Sequence, residues 1–516
     1  MIKPRLIAIS DIQVERRAVR RFRITITVLF FAIFAINLGA SAMPSSPLQR
    51  THLTAALLAL YLLLEARIYL RRSDLLGLLS PALLALIFHF VLSYLLGITF
   101  SVFFPWIIQR YEFWLPDLDG ALSDMLILAG LAAFCMLRGY AIGRPLARLL
   151  RRVVKATPLM RREMRPVFGL ILGMQAVYLL LVVYAIQIGV YGLISTPEAR
   201  TQHVDMLRIL SLALATGTLS YFLILLRHFE RCEAGLDSFL SKVSVSMLIM
   251  LHVMVGALSA FKSQIVFPFV IAGFAYFLAT RRMPIRFVAY ACIALVVAYA
   301  VIEPFRSYLG VRGTSPSSLT AAVQAFGTAL NQREQLTHYS SISQAEAIAS
   351  RFDISGMAAI AIAFVDRGDL QTDYRNQFQN SILLAPILAY VPRAVWPGKP
   401  SYSEGVWFNQ SVLGRLNDEN TSVGMGPIGY LYMAGDISAV ILGFLSFGIL
   451  QALVFEGFAR AGSGGLIVFF SVAVVLISIP TSFGPTVTGV LQMLPLAFVA
   501  QFIILRPAPG RGISAH

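Results

Sequence analysis

ITITVLFFAIFAINLGASAM, residues 24–43, runs for twenty residues without a charged side chain. A helix of that length is about 30 Å long, the thickness of a bilayer's hydrocarbon core. Lipid offers no water to the backbone, and a helix closes its N–H and C=O groups internally. The stretch therefore predicts a membrane-spanning helix. LIVFFSVAVVLISIP, residues 466–480, has the same character. By length and hydropathy, spans are expected at about 24–44, 53–70, 78–103, 124–142, 167–190, 208–226, 243–261, 264–280, 286–302, 436–457, 465–481 and 485–505. The expected fold class is an all-α polytopic membrane protein with about twelve transmembrane helices.

Composition agrees. Of 516 residues, 57% are hydrophobic and 13% charged, against about 25% charged in soluble domains. The formal net charge is +16. On a soluble protein that excess would suggest nucleic acid. Here it reads as basic cytoplasmic loops, and no nucleic-acid partner is expected. Cys135, Cys232 and Cys292 lie in or beside apolar runs with no metal-ligand spacing. No histidine cluster occurs, and no metal and no cofactor is expected.

The basic residues orient the chain. Lys3, Arg5, Arg16, Arg17, Arg20, Arg21 and Arg23 precede the first span and predict a cytoplasmic arm, residues 1–23. Ala40-Ser41-Ala42 resembles a signal-peptidase site, but the apolar run is as long as a full span, so an uncleaved signal anchor is expected. Alternating from there, the basic segment Arg138 to Arg165 falls inside, while Glu112, Asp117 and Asp119 fall outside. Helices one to nine occupy 24–302 and helices ten to twelve occupy 436–505. A tail at 506–516 ends in the cytoplasm. Residues 303–435 then form a large extracytoplasmic loop between helices nine and ten, too long for a connector and expected to fold as a cap. Within it SILLAPILAYV, residues 381–391, is apolar but too short to span, and suits a re-entrant or interfacial piece.

VPRAVWPGKPSYSEG, residues 391–405, closes that loop's apolar piece. Pro392, Pro397 and Pro400 remove donors and restrict φ, which predicts a stiff, extended segment. Arg393 offers a planar fork to phosphate oxygens and Lys399 a compact charge; together they suit a diphosphate. Trp396, Tyr402, Trp407 and Phe408 interleave with them, and aromatic faces stack on sugar rings. Basic and aromatic residues also serve as plain interfacial anchors, by snorkelling and in the aromatic belt.

Pro-Arg-x-x-Trp-Pro-x-Lys-Pro, residues 392–400, resembles the hallmark of the oligosaccharide repeat-unit polymerases, the Wzy-type O-antigen polymerases. The layout is also similar, with about a dozen spans, a large periplasmic loop in the C-terminal half and a few spans after it. Ser259-Ala-Phe-Lys262-Ser forms an outward turn where members often carry a basic residue. Glu303-Pro-Phe-Arg306, followed by Arg312, leaves a span into the loop. Arg415 and Gly426 fit an Arg-x10-Gly spacing found in some members. The sequence departs at Gly429-Tyr-Leu-Tyr-Met-Ala-Gly-Asp436, where Tyr430 stands in place of a glutamate common in the family.

The resemblance implies a bacterial inner-membrane glycosyltransferase of GT-C-like architecture, with both termini cytoplasmic. Its donor and acceptor would be undecaprenyl-diphosphate-linked oligosaccharides, and its products O-antigen, capsule or exopolysaccharide. A flippase and a chain-length regulator of the same pathway are the implied protein partners. The departing diphosphate needs cations: Arg393 and Lys399 first, then Lys262, Arg306 and Arg312. Trp396 and Arg415 are expected at the substrate. The acceptor hydroxyl needs a base, for which Glu404, Asp418 and Glu419 are candidates. The plainer roles are a snorkelling end-cap for Lys262, loop ion pairs for Arg306 and Arg312, and solvation for the carboxylates.

Inside the spans, Glu65 and Arg67 are expected to snorkel, His89 to be a packed core residue, and Gln175 and Gln187 to bridge helices or line a lipid groove. The rival readings are an O-antigen-ligase-like transferase, which shares the donor, and a lipid-linked oligosaccharide flippase or ion-coupled transporter. Transporters usually carry repeated halves, and no repeat is found here.

Overall fold

The computed structural model describes residues 9–71, 73–156, 168–192, 204–312, 319–332, 346, 349–391, 396, 404–418, 421–478 and 483–505. Among them no strand occurs. In chain order the helices are α1 (Ile9–Ser41), α2 (Gln49–Arg71), α3 (Pro81–Ser101), α4 (Leu118–Ala156), α5 (Phe168–Gln187), α6 (Val204–Glu233), α7 (Phe239–Leu258), α8 (Lys262–Thr280), α9 (Ile285–Arg312), α10 (Leu319–Asn331), α11 (Ser355–Asp366), α12 (Thr372–Leu383), α13 (Ala385–Tyr390), α14 (Glu404–Trp407), α15 (Gly426–Ala461), α16 (Ser463–Ser478) and α17 (Phe483–Ile504). Ten of the described helices are long and apolar enough to cross a membrane. Each apolar segment anticipated from the sequence lies on a helix, and α16, with 16 residues, is one of the short ones.

The chain divides into two compact units, one of Val19–Arg165 with Ala349–His516, the other of Met1–Ala18 with Pro166–Ile348. In the former, Asn37, the one amide in the 24–43 stretch, is buried. Its side chain donates to Thr99 Oγ1 at 2.8 Å and meets His52 Nδ1 at 3.0 Å, joining α1 to α3 and α2. Asp119 accepts from the Thr51 amide and hydroxyl at 2.8 and 2.7 Å, which satisfies donors left open at the start of α2. Glu65 does not snorkel alone: it is paired with Arg138 of α4. Asp74 takes two 2.8 Å hydrogen bonds from Arg460, which hold its carboxyl below the usual range.

The α4–α15 crossing is the closest in this unit. A Cβ on Gly139 would lie 2.0 Å from the Leu445 carbonyl oxygen, and one on Gly448 2.0 Å from that of Met136. The two backbones touch, as small residues allow where helices pack in lipid.

Two of the boundaries that differ from the sequence reading flank the large loop. α9 continues to Arg312 rather than ending near 302. Ile302, Phe305 and Tyr308 recur at helical spacing and are buried in the core of their own unit, which favours continuing the helix past Pro304. α15 begins at Gly426 rather than 436. GPIGYLYMAGD looks turn-rich, but Pro427 sits in the first turn, where its missing N–H costs nothing. The backbone leaves helical geometry at Gly435 and Asp436. A Cβ on Gly443 would stand 2.7 Å from the Leu431 side chain. Twelve residues of straight helix would separate those positions by about 18 Å, so residues 426–434 fold back against the rest of α15.

In the other unit, Gln175 of α5 accepts from Ser220 of α6 at 2.8 Å and meets His252 of α7 at 2.7 Å. It bridges three helices, whereas Gln187 is exposed. Ser259, Ala260 and Phe261 make the turn into α8, with Ala260 in the left-handed region at φ 58°.

Gly448→Val is expected to destabilise the protein by several kcal/mol, since overpacking against backbone has no side chain to give way. Gly489→Ala on α17 meets nothing within 4 Å and should be neutral or slightly stabilising. Thermal unfolding in detergent compares the two; equal melting temperatures would contradict the crossing.

Candidate functional site

The site is built where three pieces of the 349–516 stretch converge. α14 is one turn long and continues through a wider turn to Val412, with Leu413 N–H bonded five residues back to Phe408. Such wide turns often mark functional positions. α14 is pinned at Gly405, whose carbonyl accepts from Val423 N–H at 3.0 Å and whose missing Cβ leaves room for Ser422.

Glu404 opens α14 and is 5% exposed. Burying a carboxylate is costly unless it is hydrogen-bonded. Tyr430, on the folded-back arm of α15, donates to Glu404 Oε1 at 2.9 Å. The Tyr430 hydroxyl also touches Ser381 Oγ of α12. A hydroxyl carries one proton. Ser381 Oγ also donates to the Phe378 carbonyl at 2.9 Å, so its one proton is shared between that carbonyl and the tyrosine oxygen. Ser381, Tyr430 and Glu404 thus form one hydroxyl–carboxylate chain.

Aromatic packing encloses this chain. Phe378 meets Tyr430 edge-on at 5.1 Å and Trp407 at 5.6 Å, and Tyr374 lies 4.8 Å from Trp407. The Trp407 indole N–H and both amide atoms of Asn409 are buried and have no hydrogen-bond partner among the described residues. Native proteins leave few such groups, and each calls for a partner.

α12 and α13 descend beside α17. A Cβ on Gly484 would touch Ser381, Tyr390 donates to the Leu491 carbonyl at 2.9 Å, and Gln492 donates to that of Ala389 at 3.2 Å. The apolar piece 381–391 is therefore two short helices, broken at Leu384 ahead of Pro386, running along the first turns of α17. Arg375 of α12 forks onto both oxygens of Asp436 at 3.2 and 3.3 Å, and Gln379 donates to the Ala434 carbonyl at 2.7 Å. Tyr432 donates to Asp366 of α11 at 2.7 Å.

The anticipated residues are distributed as follows. Glu404 is at the centre. Arg393 and Lys399 lie outside the described residues, as does Glu419; Trp396 is half-buried between them in sequence. Arg415 is exposed on the turn after Val412, its N–H bonded to the Asn409 carbonyl at 3.2 Å. Asp418 accepts from the Thr421 N–H at 2.9 Å and so shapes that turn. Lys262, Arg306 and Arg312 belong to the other unit. Lys262 starts α8 with its ammonium 3.8 Å above the Tyr299 ring centroid, a cation–π contact. Arg306 is exposed on α9, and Arg312 is its last residue. His89 packs edge-on against Phe90 and Tyr94, a core residue. Among the described residues no three His, Cys, Asp or Glu cluster as a metal site.

Sequence reasoning missed Ser381 and the Arg375–Asp436 pair. Ser381 looked like one polar residue in a lipid-facing piece, and nothing local marked its partner 49 residues away. Tyr430 was singled out only as a missing carboxylate. No family model, curated protein or solved structure matches this chain.

Tyr430→Phe should cost about 1–3 kcal/mol, the penalty for leaving a buried acceptor unsatisfied. In a Glu404→Gln background the same change should cost less, because a neutral amide needs the donor less than a carboxylate. Unfolding of the four proteins in detergent gives the coupling. Strict additivity would mean the Tyr430–Glu404 bond is not made.

Proposed function

We propose that this protein is a glycosyltransferase that joins lipid-diphosphate-linked oligosaccharide repeat units into a surface polysaccharide, working on the outer face of a bacterial inner membrane. The observation that carries the reading is the position of the Pro392–Pro400 motif, which leads within four residues into the buried, tyrosine-bonded Glu404. In this reading the protein has about twelve spans, a GT-C-like layout and cytoplasmic termini. Residues 303–435 supply the outer cap, and α12, α13 and the folded-back arm of α15 are its re-entrant parts.

The reaction requires a hydroxyl of one repeat unit to attack the anomeric carbon of another. A carbon–oxygen bond forms there as the bond to the diphosphate oxygen breaks, and the diphosphate leaves with the electron pair. Glu404 takes the hydroxyl proton. Tyr430 and Ser381 orient the carboxylate. Arg393 and Lys399 stabilise the charge that grows on the leaving diphosphate. Trp396 stacks on a sugar face. The unpartnered Trp407 N–H and Asn409 amide offer hydrogen bonds of the kind sugar hydroxyls accept and donate.

The place where the resembled family carries a glutamate also supports this assignment. Tyr430 occupies it, and a carboxylate from another element stands 2.9 Å from its hydroxyl. The negative group is thus kept in the neighbourhood while the residue that supplies it changes.

The test is complementation of a strain lacking this chain with Arg393→Ala, Lys399→Ala and Glu404→Gln, with membrane levels of each variant checked. A surface-glycan ladder on a gel is the readout. Loss of long chains with single repeat units still attached is the expected result. Loss of every attached unit would favour the ligase reading, and an unchanged ladder would overturn both.

A further inference from the structure

α4 has 39 residues, about 58 Å at 1.5 Å per residue, nearly twice a hydrocarbon core of about 30 Å. Its last four turns carry three stripes at one spacing, each offset by a residue. Ile142, Leu146, Leu149 and Val153 are exposed, at 61, 52, 57 and 55%. Gly143, Ala147 and Val154 are buried, with Leu150 beside them. Arg144, Arg148, Arg151 and Lys155 form the third stripe, with Arg152 next to it. Residues spaced four, three and four apart share a helix face, and a one-residue offset turns the face by about 100°.

The buried stripe packs on its own unit: Leu150 approaches Gly457, and Val154 clusters with Phe458 and Ala461. On the spanning part of α4, Ile127 and Phe134 are exposed, about a quarter turn from the apolar stripe at 100° per residue. On the basic stripe Arg144 is engaged, stacked on Tyr69 and Tyr140 and 4.0 Å from Glu456. Arg148, Arg151 and Arg152 make no ion pair among the described residues.

A helix with one face on protein, one apolar face open and one cationic face suits the boundary between acyl chains and headgroups. We propose that residues 142–155 of α4 are a docking surface for anionic phospholipid. The Ile142–Val153 stripe enters the acyl boundary, and Arg148, Arg151 and Arg152 hold headgroup phosphates of that leaflet. Two features favour lipid over a protein partner: the apolar stripe lies on the same helix as a segment long and apolar enough to span, and the uncompensated guanidiniums match phosphate. The inference is independent of the glycosyltransferase reading.

The test uses the full chain in nanodiscs of phosphatidylglycerol and phosphatidylcholine. Nitroxides are placed at Leu149→Cys and Val153→Cys after the three native cysteines are replaced. Faster collision with oxygen than with an aqueous nickel chelate is expected at both sites. The reverse order would place the stripe in water and overturn the proposal in favour of a protein-docking face. Separately, Arg148→Gln/Arg151→Gln/Arg152→Gln is purified from mixed lipid, and bound phosphatidylglycerol is counted by mass spectrometry. These changes, at two exposed positions and one half-buried position, keep helix propensity, and an unchanged melting temperature shows that the variant is folded. Retention is expected to fall on the order of tenfold, and to fall for the native protein as salt rises. Native retention by the folded variant would overturn the headgroup assignment.

Discussion

The reversal at Gly435–Asp436 is the constraint on which the candidate site depends. A break in a helix releases backbone carbonyls, and a chain in lipid can satisfy them only from within. Here Gln379 takes the Ala434 carbonyl and Ser438 takes that of Gly435. Asp436 is held at φ 54° and ψ −152°, a backbone conformation that is costly for a residue with a Cβ. Arg375 grips its carboxylate. Gln379 and Arg375 lie on α12, the helix that also presents Ser381 to Tyr430. The break, its repair and the carboxylate site are therefore one assembly: loosening α12 would free the turn and the hydroxyl chain together.

Glycine sets how close the surrounding helices come. Where Gly139 and Gly448 let α4 and α15 touch, the second arm of α15 is fixed, and Gly443 then leaves room for Leu431 of the folded-back arm. Gly429 lets that arm approach Ala358 and Ala361 of α11. With these contacts fixed, Tyr430 has little freedom, and its hydroxyl meets Glu404 without a long side chain having to be ordered. Tyrosine suits the task, since it has few rotatable bonds and a polar tip on an apolar body.

The apolar helices were legible because hydropathy over about twenty residues is a property of the segment itself. The site was legible only in part, because it is a property of pairs. Glu404 stood out beside a proline-rich basic motif, but nothing within the sequence around 404 says that it is buried. The same glycines and proline that look like a turn at 426–436 are what a tightly packed helix start requires. Gly426 and Gly429 are read correctly only once Tyr94 and Ala358 are known to be opposite them. The polar residues in apolar runs behaved by the same logic. Asn37, Gln175 and Glu65 each found a partner on another helix, and no local pattern announces a partner 60 or more residues away.

A buried carboxylate is not what stability alone would choose. Replacing buried charge by well-packed apolar groups is often neutral or favourable, and the aromatic surroundings of Phe378, Trp407 and Tyr374 could fill the space. Glu404 is kept instead, with a hydroxyl chain to hold it and unpartnered donors and acceptors at Trp407 and Asn409 nearby. Each of those groups carries a cost in the unliganded protein. In the reading proposed above, sugar hydroxyls are the kind of group that could supply those partners. A purely structural role accounts for Tyr430 and Ser381, but it leaves the polar atoms beside them without a reason.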